Sequence, residues 1–281
     1  MAKAKEKKNI LITCAGGSAP LYLANTLKSK YNIFLVDASH HTVAAHLNFP
    51  FAQVPVGSSP KYLPVINSLV QKWHINCIVP GADEELLKTS RFCQLHSRLS
   101  AVLPSQEFIA TCLNKKTCME LLAKFKISSL SPFKYHQIHY PAIAKPIFGR
   151  GSRQVHRVNT SQQLAGYLNL YDKKFSQILV NRYIGGTEYT VSVIVNNLNQ
   201  LIGIVPKKII LKQGITLAAV VEKNQLISQA CKKIITQLRP HGPFNVQLKV
   251  YRHKVYIFEI NPRLSTTSVL TDKAFGNEIE L

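Results

Sequence analysis

The chain has 281 residues, of which 46% are hydrophobic and 17% charged, a globular composition with core enough for two domains or one large one, and not that of a disordered chain. No apolar run approaches the roughly 18–20 residues of a membrane span, and the basic N-terminus MAKAKEKKN is followed by no signal-peptide core, so a cytoplasmic protein without a membrane partner is expected. Net charge is +21, but the 35 lysines and arginines are dispersed, with the densest run at Lys3–Lys8 and no interleaved aromatic-basic platform, so nucleic acid is not the expected partner.

In chain order, NILITC at 9–14 reads as a hydrophobic strand, followed by the turn AGGSAP and a helical stretch from Leu21 to Lys30. YNIFLVDAS is the next strand and ends at Asp37. INCIVPGADEE repeats the design, with a strand at 75–79, a loop through Pro80 and Gly81, and an acidic helix start at Asp83, Glu84 and Glu85. Strands alternating with helices predict a parallel sheet, whose ligands bind beyond the carboxyl ends of the strands. Residues 1–103 are therefore read as an open α/β domain. GGSAP is not the GxGxxG of dinucleotide folds, and a glycine turn packing a helix on a strand is the simpler reading.

Pro104 and Ser105 open a second helical region, where residues 113–127, LNKKTCMELLAKFKI, place Met119, Leu122 and Phe125 on one stripe. After Pro132 the character changes. PAIAKPIFGRGSRQV reads as strand, glycine-rich loop and strand, and a helix follows at 160–170. Strands at 177–183, 188–195 and 200–205 alternate in polarity, with NNLNQ as a turn. A helix spans 224–238, and GPFNVQLKV and KVYIFEI form a hairpin around Tyr251, Arg252 and His253. Residues 104–281 are read as an α+β region with antiparallel sheets. The six cysteines fall in no CxxC or zinc-like cluster and read as small buried residues.

Three stretches carry chemistry. In AKPIFGRGSR, Lys145 ends a strand, and Gly149 and Gly151 bracket Arg150 between two strands. Such a loop can fold over phosphates and offer backbone N–H groups, with Arg150, Ser152 and Arg153 adding charge-assisted bonds. In GGTEYTVSV, Glu188 shares a strand face with Thr190 and Ser192. In the last hairpin Gln247 can lie beside Glu259 on the paired strand, and Asn261 points the same way as Glu259, so three oxygen ligands converge. One carboxylate with side-chain amides suits Mg²⁺ or Mn²⁺, which completes its shell with water and nucleotide phosphates.

The order of these segments, ending in GPFNVQLKV and FEINPRLSTTSVLTDKAFG, closely resembles the ATP-grasp superfamily, in particular the carbamoyl phosphate synthase large-subunit type and its stand-alone ligase relatives. The resemblance covers nearly the whole chain. It implies a Rossmann-like preATP-grasp domain over 1–103, followed by an ATP-grasp domain of two α+β lobes over 104–281, the latter C-terminally short. It implies ATP and Mg²⁺ (or Mn²⁺) as cofactors. Lys115, or its neighbour Lys116, matches the first basic ATP contact, and Lys145 the phosphate contact before the loop. Gly149, Arg150, Gly151 and Ser152 match the mobile loop. Asn181 to Ile184, including Tyr183, match the hinge that binds adenine through its backbone, and Glu188 matches the acid of the family's EYTVDV. Gln247, Glu259 and Asn261 match the metal ligands, and Arg263 the arginine that contacts the transferred phosphate or the acyl substrate. Two departures stand out: Asn181 lies where the family usually places an acid for the ribose hydroxyls, and Ser192 replaces an aspartate.

The expected activity is an ATP-dependent, carbon–nitrogen bond-forming ligase, acting on a small-molecule carboxylate and an amine through an acyl phosphate, with Lys145 and Arg263 as catalytic groups. A homodimer is a possible assembly. The expectation from a different class is a nucleotide- and metal-binding module without turnover, with a sensing or partner-binding role.

Overall fold

The computed structural model describes residues 7–274, so most of the Lys3–Lys8 run lies outside the described residues. By packing, the chain divides into two units: Met1–Gln106 together with Arg263–Leu281, and Glu107–Pro262. None of the described helices is long and apolar enough to cross a membrane.

The first unit is built on β1 (Asn9–Ile12), α1 (Ser18–Leu27), β2 (Asn32–Asp37), β3 (Phe51–Gln53), α2 (Tyr62–Lys72), β4 (Cys77–Val79), α3 (Leu86–Gln94) and β5 (Ser100–Ala101). Its five strands pair in parallel in the order β3-β2-β1-β4-β5. Helices cover both faces, as alternation in β1 requires. Ile10 and Ile12 pack with Leu23, Ala24 and Leu27 of α1, while Leu11 packs with Tyr62 and Ile66 of α2. The helix expected from Leu21 starts instead at Ser18, because Pro20 in the first turn interrupts no hydrogen bond of the helix. Between β1 and β4 the strand order reverses, which opens a crevice at their carboxyl ends.

The second unit begins with α4 (Gln106–Leu113), whose first residue precedes the division, and α5 (Lys115–Lys124). One lobe follows: β6 (Ala142–Pro146), β7 (His156–Val158), α6 (Ser161–Leu170) and β8 (Ile178–Arg182), as an antiparallel sheet in the order β7-β6-β8. The other comprises β9 (Thr187–Val195), β10 (Leu201–Gln213), β11 (Ile215–Val221), α7 (Gln225–Leu238), β12 (Gly242–Tyr251) and β13 (Lys254–Asn261). Its antiparallel sheet runs β11-β10-β9-β12-β13.

In β9 the alternation is strict. Tyr189, Val191, Val193 and Val195 enter a core with Met119 and Leu122 of α5 and Ile227, Cys231 and Ile234 of α7, the last three at the 4–3 spacing of one helix face. Asn224 caps α7 by accepting from the Ile227 amide at 3.2 Å. The opposite face of the sheet carries Glu188, Thr190 and Ser192. After α7 the chain forms the β12–β13 hairpin, and α8 (Ser268–Ala274) then rejoins the first unit.

Candidate functional site

A cleft of about 160 Å³ opens in the second unit, with walls from both sheets and from the start of α5. Asn114 caps α5, its Oδ1 accepting from the Lys116 and Thr117 amides at 3.1 Å, which fixes Lys115 in the first helical position and turns it into the cleft. The Lys115 ammonium donates to the Gly149 carbonyl and stands 3.8 Å from Glu259 Oε1.

Lys145, the fourth residue of β6, is 4% exposed and donates to the Phe258 carbonyl at 2.9 Å. Burial pushes its ammonium down to about 8, with Glu259 acting against this and the cations Lys115 and Lys212 adding to it. A bound phosphate would raise that value and fully charge the lysine.

The loop after β6 runs through left-handed conformations at Gly149 (φ 120°), Gly151 (φ 69°) and Ser152 (φ 55°). Its tip is tied to the β10–β11 turn, Ser152 Oγ donating to the Gly214 carbonyl at 3.1 Å. Gly149, Arg150 and Ser152 line the cleft; Gly151 does not.

At the hinge, Asn181, Tyr183 and Ile184 line the cleft. Asn181 is 1% exposed and its Nδ2 lies 3.5 Å from the Leu130 carbonyl. The Tyr183 ring lies under the Arg157 guanidinium at 4.3 Å and near the Lys249 ammonium at 5.3 Å, and Lys249 also donates to the Ile184 carbonyl at 2.9 Å. Gly186 makes this turn possible: at φ 91°, a Cβ would stand 2.3 Å from the Val250 carbonyl. Glu188 follows on the cleft wall and pairs with Lys212 at 2.6 Å.

Gln247 and Glu259 are direct partners in the β12–β13 ladder, and both line the cleft. A bulge after Gln247 is decisive. Simple alternation would put Ile257 on the same face as Glu259, yet Ile257 and Ile260 both enter the apolar core. The extra residue, Phe258, switches faces, so one strand feeds the core at Ile257 and the cleft at Glu259. Asn261 pairs with Asn245 one step along, is 7% exposed, and does not line the cleft. Arg263 belongs to the first unit, where its Nε donates to Asp83 Oδ1 at 2.5 Å.

Sequence reasoning missed Lys212 and Lys249, both on the cleft wall. Lys249 had a signal, since it follows Gln247 by two on the same strand. Lys212 did not: the strand expected to end at 205 runs on to Gln213 as β10. The same extension carries Lys207, whose side chain is fully buried and donates to Ser192 Oγ at 2.6 Å. In the first unit, Asp37 serves its own loop: Oδ2 accepts from the Gly16 amide at 2.8 Å and Oδ1 from the Ser39 amide at 2.9 Å.

Among the described residues, no three His, Cys, Asp or Glu side chains gather to hold a metal by themselves. The set at the cleft is one carboxylate beside a side-chain amide. That donor chemistry fits a hard cation whose remaining ligands come from phosphates and water.

Two lobes clasp a cleft lined by lysines, a glycine loop and a Gln–Glu pair, a lining whose chemistry suits phosphates and a hard cation. Residues 174–280 match the family described as "ATP-grasp in the biosynthetic pathway with Ter operon". Among solved structures, N5-carboxyaminoimidazole synthetase from Staphylococcus aureus, complexed with ADP, aligns over 100% of this chain and 80% of its own at 18% identity, with a TM-score of 0.74. L-amino acid ligase from Bacillus licheniformis aligns over 95% and 70%, respectively, at 15% identity and a TM-score of 0.72. The biotin carboxylase domain dimer of Hydrogenobacter thermophilus 2-oxoglutarate carboxylase, in complex with MgADP, ADP and bicarbonate, aligns over 96% and 67% at 14% identity and 0.73. The chain shares the fold of these structures, and its C-terminal part resembles the ATP-grasp family.

Proposed function

We propose that the protein is an ATP- and Mg²⁺-dependent ligase that activates a carboxylate as an acyl phosphate for attack by an amine. The observation that supports this best is the convergence of Lys115, Lys145, the glycine loop and the Gln247–Glu259 pair on one cleft. In this reading residues 1–103 form the preATP-grasp domain and 104–281 the ATP-grasp domain. A carbon–nitrogen bond-forming, carbamoyl phosphate synthase-like subtype follows from the order of the segments, GPFNVQ through EINPRLSTTS.

Adenine sits against the hinge at Asn181–Ile184, and Glu188 exchanges Lys212 for the ribose. Lys115 and Lys145 bind the phosphates and neutralise charge as the γ-phosphoryl group transfers. Gly149–Ser152 roofs them and excludes water, which would hydrolyse the acyl phosphate. A carboxylate oxygen bonds to the γ-phosphorus while the bond to the bridging oxygen of ADP breaks. The amine nitrogen then bonds to the acyl carbon, loses a proton, and inorganic phosphate leaves. Gln247 and Glu259 would hold Mg²⁺, which supplies Lewis-acid polarisation of the phosphates when bound, with Asn261, one step along the ladder and outside the cleft lining, joining them only if its side chain turns in. Positioning and charge neutralisation dominate such a transfer, which accounts for a site made of cations and metal ligands rather than a nucleophile.

The test is ADP and phosphate release from Mg-ATP with a panel of amino acids and small carboxylates. Glu259→Ala abolishes it; release that survives this substitution refutes the metal assignment. Metal-dependent nucleotide binding without turnover on any panel would favour the binding-module reading instead.

A further inference from the structure

The cleft of the second unit is more cationic than a nucleotide requires. Among the described residues, seven lysines and arginines line it against two carboxylates, Glu188 and Glu259. Mg-ATP brings a net charge of about −2, so about three positive charges stay unbalanced when it is bound. Cations crowded on the walls of a cleft repel one another and attract anions into it.

Part of the surplus gathers in one corner. The glycine loop and the β10–β11 turn meet across 62 residues of sequence: Ser152 Oγ donates to the Gly214 carbonyl at 3.1 Å, and a Cβ on Gly214 would stand 3.3 Å from the Gly151 carbonyl. The loop brings Arg150 and Arg153 to the cleft wall, and the strand before the turn brings Lys212. The Lys212 ammonium lies 6.0 Å from the Phe258 ring centroid, and that of Lys145 lies 5.2 Å from the same ring. The corner therefore adjoins the lysine assigned above to the phosphates.

Lys212 has a carboxylate partner here: it pairs with Glu188 at 2.6 Å, its side chain 26% exposed. In the reading above, Glu188 turns to the ribose and Glu259 to the metal. Both carboxylates of the cleft are then committed, and a largely buried ammonium is left without one. Such a charge is costly until another anion reaches it.

We propose that Arg150, Arg153 and Lys212 form a subsite for a second anionic group on the acyl substrate: the acid carries a further carboxylate or a phosphate besides the carboxylate that attacks the γ-phosphorus, and it binds after the nucleotide. The proposal rests on the ligase reading and adds the substrate class and the order of binding. A monocarboxylic acid leaves the corner unanswered, and an acid with a cationic side chain is repelled by it.

The experiment is calorimetric titration of propionate, L-alanine, succinate, L-glutamate, 3-phosphoglycerate and L-lysine into the full chain, with and without Mg²⁺ and a non-hydrolysable ATP analogue. The affinity of the analogue itself is measured first. With the analogue bound, at least one of succinate, L-glutamate and 3-phosphoglycerate binds at least about tenfold more tightly than propionate, L-alanine and L-lysine, and at least about tenfold more tightly than it does alone. Which of the three it is tells a second carboxylate from a phosphate. Lys212→Gln and Arg153→Gln each lower the ratio of that affinity to the affinity for propionate at least about tenfold, whereas Lys212→Arg keeps the ratio. Arg153→Glu shifts the preference towards L-lysine, which a merely destabilised protein would not do. The proposal is overturned if propionate binds as tightly as the acids with two anionic groups, if Lys212→Gln leaves the ratio unchanged, or if no acid binds although the analogue does. Equal binding without the analogue overturns the order of binding, and an analogue that does not bind sinks the ligase reading instead.

Discussion

Lys207 should be a liability to the fold, and removing it should make the protein more stable. Its side chain is fully buried, and burial pushes its ammonium from 10.5 down to about 7. A tenfold change in proton affinity is worth about 1.4 kcal/mol, so the burial penalty on the charged form has a ceiling of about 5 kcal/mol. Lys207→Met keeps the length of the stem and abolishes the charge. It also deletes the contacts of the ammonium, among them the 2.6 Å hydrogen bond to Ser192, which offsets about 1–3 kcal/mol of the gain. The expected net stabilisation is about 1–3 kcal/mol at pH 6.

The sign with pH is fixed by linkage. The unfolded chain holds the proton to about pH 10.5, whereas the folded chain releases it near pH 7. The wild-type penalty is therefore complete below pH 7 and vanishes as pH rises towards 10.5. Urea unfolding of both proteins at pH 6, 7, 8.5 and 10 reads this directly. The advantage of Lys207→Met should be greatest at pH 6 and gone or reversed at pH 10, where the lost hydrogen bond outweighs what remains of the penalty. A less stable variant at pH 6, or a difference that does not change with pH, refutes the reasoning.

Three further outcomes follow from contacts in the cleft. Lys145→Met should weaken ADP at least about tenfold by equilibrium titration, because a buried cation facing the phosphates is lost. Unchanged affinity would place the phosphates elsewhere. Gly186→Ala should destabilise the second unit by more than about 3 kcal/mol or leave it insoluble, since a Cβ would stand 2.3 Å from the Val250 carbonyl. A wild-type melting temperature would contradict this. Ser152→Ala should free the glycine loop from Gly214, seen as faster hydrogen exchange of the amides at 149–154 in the ligand-free protein. Equal rates would mean the bond does not hold the loop.

Features governed by local periodicity were legible in the sequence. The alternation of Glu188, Thr190 and Ser192, the pairing of Gln247 with Glu259, and the glycine loop after Lys145 all depend on neighbours a few residues away or on a tight hairpin. Other features depend on distant partners and left no local trace. The meeting of Arg263 with Asp83 spans 180 residues. The path of β10 beyond residue 205, which delivers Lys207 and Lys212, runs through apolar residues such as Ile210 and Leu211 that stay exposed, so its pattern reads neither as a buried strand nor as a half-buried one. The bulge at Phe258 likewise breaks the period of two, and only the paired strand reveals it.

The first unit is made from two pieces of chain, and this bears on how the protein comes off the ribosome. When residue 106 has been synthesised, the parallel sheet has all five strands, but its last packing partners do not yet exist. Leu264, which packs on the α1 core, and Asp272, which accepts from Tyr22 at 2.6 Å across 250 residues, are made only after the whole of the second unit. Chains emerge N-terminus first, so this unit starts folding early and finishes after the second is complete. An excised fragment 1–106 would reproduce the waiting state, with its α1 surface open and Asp83 without its arginine. Splitting the gene at that point would yield a half-finished body and not a free-standing domain.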